Sequence, residues 1–223
     1  MNQQNLQATP ILDYGDPVLR QFADSIKVED DSSLSFLRAA HSAVSTHVIP
    51  IYTIREFQPS SRTLILGRGS CSQRLACLEA LARRHGIATR VRALWVSGRF
   101  WNKRFPLTRM FIPSRILLAW PQFCVDGGWA GVEEIFGRLE DLSEHSAGFA
   151  NDAETLFEAV RLTAVDFEGK TRLCSSSCDL SGFIKGTGGV FETRDDLFHT
   201  LGALESTWRG KTFELLYGGK KST

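Results

Sequence analysis

"GRGSCSQRLACLEALARRHGIATRVR", residues 67–92, decides the fold. Gly67, Gly69 and Ser70 form a small, flexible approach to Cys71. From Cys71, Leu75, Leu78, Leu81 and Ala82 recur on one face at helical spacing, and Gly86 supplies the stop. "IATRVRALWVS" then alternates as a half-buried strand does. A cysteine at a helix start lies where partial positive charge favours a thiolate, the nucleophilic form. Arg68 and Arg74 add positive charge nearby in sequence.

Downstream, residues 98–113 carry Pro106 and Pro113 and read as irregular in part. "RILLAWPQFCVD" reads as a second strand, Gly127-Gly128 as a tight turn, and Trp129 to about Glu134 as a third strand. Upstream, 16–26 reads as a helix capped by Asp16 with Pro17 in its first turn, and 31–48 as a second helix stopped by Pro50. Residues 51–66 read mostly as loop. Two late helices are expected, 151–167 led by Asn151 or Asp152, and 193–208 capped by Thr193. "GTGG" at 186–189 lacks the Lys-Ser/Thr of a phosphate loop and reads as a turn. This order of elements is α+β: a cysteine helix packed on a small antiparallel sheet, with flanking N- and C-terminal helices. No repeat or linker divides the 223 residues, so one domain is expected, with a core at about 51–140 and helical flanks at 1–50 and 141–223.

The order and three local patterns resemble the transglutaminase-like superfamily of papain-type cysteine enzymes. Residues 67–92 are similar to its Gly-x-Cys opening, buried helix and Gly-Ile-x-x-Arg lead into the first strand. "LLAWPQFCVDGGW" resembles its His-x-Trp-x-Glu strand and turn, and "GWAGVEEIFG" the strand bearing the acid of a Cys-His-Asp triad. The segments "TPILDYGDPVLRQFA" and "GTGGVFETRDDLFHTLG" are similar to flanking segments in bacterial members. The resemblance implies Cys71 as nucleophile, Glu133 at the acid position, Trp120 as the motif tryptophan and Gln122 at the glutamate position. The histidine position is Leu118, and no histidine lies between His85 and His145. Tyr52, in the loop before Cys71, is a candidate donor to an oxyanion.

Leu118 cannot protonate a leaving group. An amine departing from an amide needs that proton, whereas a thiolate departing from a thioester does not. The sequence therefore points to cysteine-dependent acyl transfer or amide-bond chemistry with an altered triad, from a thioester donor to a small-molecule or peptide acceptor. The alternative is a catalytically inactive domain that binds a partner. Charge is segregated: 80–125 has no acidic residue and holds Arg83, Arg84, Arg90, Arg92, Arg99, Lys103, Arg104, Arg109 and Arg115, while 126–158 is acidic. The basic segment suits coenzyme A, a phosphopantetheine arm or an acidic carrier protein, or else the two segments neutralise each other within the fold.

The remaining histidines have structural readings. His41 lies on an apolar helix face, and His47 and His85 sit at helix ends; His47, His145 and His199 are the candidates for a substitute base. Cys77 and Cys124 read as packing residues. "CSSSC" at 174–178 lacks the partners of a zinc site, so neither metal nor other cofactor is expected. Trp95 and Trp101 lie near the basic segment without any nucleic-acid motif. With no secretory signal and no apolar run long enough to span a bilayer, a cytoplasmic location away from membranes is expected.

Overall fold

The computed structural model describes residues 2–106, 109–137, 155–161, 167 and 180–221. Helix α1, Pro17–Asp24, starts where the Asp16 carboxylate accepts from Val18 N at 2.8 Å, with Pro17 in the first turn. Helix α2, Ser33–His47, is capped by Ser32 and buries Phe36, Leu37, Ala40, His41 and Val44 on one stripe. The chain then leaves as strand β1, Ile49–Pro50, which pairs in parallel with β2, Arg68–Gly69.

Between them lies helix α3, Ser60–Leu66, where the sequence reads as loop. Its Ser-Ser-Arg-Thr start hides the periodicity, but Pro59 leads into it, and Gly67 ends it in the left-handed conformation at φ 59°. Helix α4, Cys71–Arg84, follows and is buried from Gln73 to Arg83. It packs against α2, α3 and the sheet, so its polar residues must find internal partners. Arg83 does so by donating to the carbonyls of Gln4, Gln7, Thr89 and Glu192 and to the Thr89 hydroxyl.

The antiparallel sheet has the order β5-β4-β3-β6 among the described residues. Strand β3 is Thr89–Ser97, β4 Arg115–Val125, β5 Gly128–Gly131 and β6 Ile184–Phe191. Leu94 stands opposite Leu118 and Arg92 opposite Trp120. Two expectations are corrected here. The third strand stops at Gly131, and Val132–Phe136 turns into 3-10 helix. The glycine-rich 186–189 segment is part of β6, paired with β3 through two register irregularities, and is not a turn. Gly188 is needed there because a Cβ would come within 3.0 Å of Ala93 Cβ and 2.9 Å of Leu201 Cδ1.

The late helix is also shorter than expected. Thr193 caps α6, Arg194–Leu201, and Gly202 at φ 84° ends it. A 3-10 turn at Leu204–Ser206 leads to α7, Trp208–Tyr217. Of the 151–167 helix, the described part is the single turn α5, Leu156–Ala159, capped by Thr155; Asn151 and Asp152 lie outside the described residues. No described helix is long and apolar enough to cross a membrane.

Candidate active site

The start of α4 is fixed by a reciprocal capping box. Ser70 Oγ accepts from Gln73 N at 3.3 Å, and Gln73 Oε1 accepts from Ser70 N at 3.0 Å. Gln73 also donates to Arg55 O at 2.9 Å, anchoring the cap to the preceding loop. Gly69 must be glycine at this point: a Cβ would meet Thr63 Cγ2 at 2.8 Å and Gln73 Oε1 at 3.0 Å. The "GRGSC" run therefore ends one helix, passes a tight contact and caps the next, leaving Cys71 as the first helical residue.

Cys71 is half-buried and opens into a pocket of about 170 Å³. That is comparable to apolar protein cavities of about 150 Å³ that hold a benzene-sized guest. Apolar side chains dominate its walls. Leu118 comes from β4, Phe100 and Trp101 from the turn after β3, and Phe198, Leu204 and Phe213 from the C-terminal helices. Its polar lining includes Glu56, Ser72, Tyr52, Arg104 and Arg209. Arg104 Nη1 donates to the Tyr52 hydroxyl at 3.3 Å.

Of the residues singled out from sequence, Cys71, Leu118, Trp120 and Tyr52 meet at this pocket. Glu133 stands behind Trp120, which donates to it from Nε1 at 2.7 Å. It is fully buried, and desolvation pushes its carboxyl up to about 7 against the Trp120 bond, which favours the charged form. Gly131 makes room for it, since a Cβ there would lie 2.6 Å from both carboxylate oxygens. Gln122 is held instead by Arg90 Nε at 2.9 Å.

The two arginines expected near the thiol go elsewhere. Arg74 is fully buried, pairs with Glu158, and donates to Thr155 and Ser45. Arg68 is exposed and borders a separate cleft with Arg55 and Gln58. The basic segment is likewise dispersed: Arg90 stacks on Trp129, Arg92 on Phe167 and Arg115 on Trp95, while Arg84 pairs with Asp24. From that segment, Arg104 is the cation at the pocket among the described residues.

No described histidine lines the pocket. His41 bonds to Phe157 O at 2.7 Å and stacks on its ring, and burial lowers its pKa to about 4. His47 bonds to Leu64 O, His85 stacks on Phe36, and His199 packs against Phe57. His145, Cys174 and Cys178 lie outside the described residues. Cys77 is buried, and its thiol is pushed up to about 12 by desolvation; Cys124 is half-buried at the end of β4. No group of three or more described His, Cys, Asp or Glu side chains could hold a metal ion.

The sequence reading missed Glu56 and Arg194. Arg194, on α6, donates from Nε to Glu79 Oε1 at 2.5 Å, from Nη1 to Ser72 Oγ at 3.0 Å and from Nη2 to Ala119 O at 3.3 Å. Ser72 Oγ in turn donates to Glu56 Oε2 at 2.5 Å. A buried ion pair, a hydroxyl and a pocket carboxylate thus form one chain beside Cys71. Glu56 carries no sequence signal, because it lies in the loop that precedes α3. Arg194 could have been suspected from the buried Glu79, a carboxylate at a core position of α4.

A family model described as "Transglutaminase-like superfamily" matches residues 20–133. No curated protein matches the chain.

Proposed function

The chain belongs to the transglutaminase-like superfamily, and on that premise we propose that Cys71 accepts an apolar acyl group from a thioester donor and passes it to a small-molecule or peptide acceptor. The observation that carries this reading is the pocket itself: Cys71 begins a 14-residue helix and shares an apolar cavity with Leu118, where a histidine would stand in the triad. The helix N-terminus favours the attacking thiolate and the oxyanion that follows. The walls suit a short aliphatic or aromatic acyl group, and Arg104 and Arg209 suit the phosphate of a coenzyme A or phosphopantetheine carrier. A thiolate leaves without the proton that an amine requires, which matches the absence of an imidazole from the described walls.

The test is incubation with butyryl-, hexanoyl- and benzoyl-coenzyme A at pH 7.5, read by intact mass and peptide mapping. A covalent adduct on the Cys71 peptide, absent in Cys71→Ala, is expected. No adduct with any donor overturns the reading. A second reading, a binding domain without chemistry, is favoured by the leucine at 118. It predicts that the same thioesters raise the melting temperature of the native protein and of Cys71→Ala equally, with no adduct in either.

A further inference from the structure

We propose that Glu56 takes the proton from the Cys71 thiol, filling the role of base that Leu118 leaves open. The inference rests on the acyl-transfer reading and adds its base. Four observations converge on this carboxylate. Glu56 lines the same pocket as Cys71. Its Oε2 is held at 2.5 Å by the hydroxyl of Ser72, the residue directly after Cys71. That hydroxyl is itself fixed by Arg194, whose guanidinium is locked to Glu79 inside the protein. The geometry of the carboxylate is thus set by α4 and α6 together, and the loop bearing it is pinned by the Gln73 bond to Arg55 O.

The charge environment suits the task. Burial pushes the Glu56 carboxyl up to about 7, with Glu205 adding to the effect and the Ser72 bond and Arg194 opposing it. Arg104, Arg209 and Tyr52 also border the pocket. A carboxyl near 7 is half ionised at neutral pH, so it can accept a proton in one step and release it in the next. The balance is complete. The Cys71 proton passes to the carboxylate, Sγ bonds to the acyl carbon, the carbon–sulfur bond of the donor breaks, and the donor departs as a thiolate without a proton from Glu56. Glu56 then gives its proton to solvent, and the products are acyl-Cys71 and the donor's thiolate.

The experiment compares Cys71 acylation by butyryl-coenzyme A and alkylation by iodoacetamide in the native protein, Glu56→Gln and Glu56→Asp at pH 7.5 and pH 9.5. At pH 7.5, Glu56→Gln is expected to slow both reactions by about 100-fold. At pH 9.5 hydroxide can take the proton in place of the carboxylate, and the deficit should fall to less than about 5-fold. A purely structural role would leave the deficit equal at both pH values and overturns the inference, as does a native rate in Glu56→Gln at pH 7.5. Glu56→Asp keeps the charge but withdraws the carboxylate; it should show the same pattern, and native behaviour there also overturns the inference. Iodoacetamide needs no thioester specificity. A Glu56-dependent alkylation profile without any acyl adduct would therefore keep Glu56 as the base and reject the donor class alone.

Discussion

The indole Nε1 of Trp120 donates a 2.7 Å hydrogen bond to Glu133 Oε2, and both side chains are sealed from solvent. In the triad implied by the family resemblance, the acid at this position would orient an imidazole at 118. Here it holds the ring two residues further along β4. Leu118→His alone should therefore gain a base without its orienting partner. At pH 7 we expect a rise of about tenfold in Cys71 alkylation, and a further rise in Leu118→His/Trp120→Phe, where Glu133 is released. Unchanged rates in both variants would show that position 118 does not address the sulfur.

Glu133 also makes stability depend on pH. Its carboxyl moves from an ordinary 4.5 to about 7 in the folded protein. The folded state therefore keeps a proton that the unfolded chain gives up, so the contribution is fully present below about 4.5 and lost as pH rises to about 7. The loss is on the order of 3 kcal/mol. Glu56 shifts the same way in the same window. Urea unfolding at pH 5 and pH 8 should show the native protein weaker at pH 8, and Glu133→Gln, which retains an acceptor for Trp120, should narrow the gap. An equal gap in the two proteins would refute the assignment.

The Arg194–Glu79 pair is 1% and 0% exposed and ties α6 to α4. Removing one partner strands the other in the core, at a cost of about 3–5 kcal/mol. Arg194→Met and Glu79→Gln should each lower the unfolding midpoint sharply, and the double variant should lose less than their sum. Additive losses would mean that the two groups do not stabilise one another.

Gly69→Ala tests the approach to Cys71. The new methyl must displace Thr63 or the Gln73 cap, which predicts a loss of about 1–3 kcal/mol in chemical denaturation. Gly15→Ala, where a Cβ meets nothing within 4 Å, is the control. Equal stability in the two variants would remove the close approach from the argument.

How much of this was legible depends on which signals are local. The caps at Asp16 and Thr193, the α4 helix from Cys71 and the β3 and β4 strands are written within a few residues each, and the structure bears them out; α4, however, is buried on every side from Gln73 to Arg83 and not on one face alone. Helix α3 was hidden because its start is polar and its burial is set by partners elsewhere: Ser60 is held by Ile11 O, and Ser61 by Asp13. Strand β6 was hidden because its glycines carry turn propensity, while pairing with β3 overrides it. At the site, the helix start pointed to Cys71, and Trp120 and Glu133 followed only from the family resemblance. Glu56 and Arg194 join it through contacts across 16 and 122 residues with Ser72, which no window of sequence contains.

The far wall of the pocket, formed by Phe198, Leu204, Arg209 and Phe213, lies beyond the 20–133 stretch that matches the family. The pocket is thus assembled from two stretches of chain: the matched one brings Cys71, Phe100 and Leu118, and the one after it brings these four side chains. Substitutions on the C-terminal helices would reshape the cavity and leave the cysteine helix untouched. Grafting 194–217 between homologues would then be a direct way to move ligand preference from one to another.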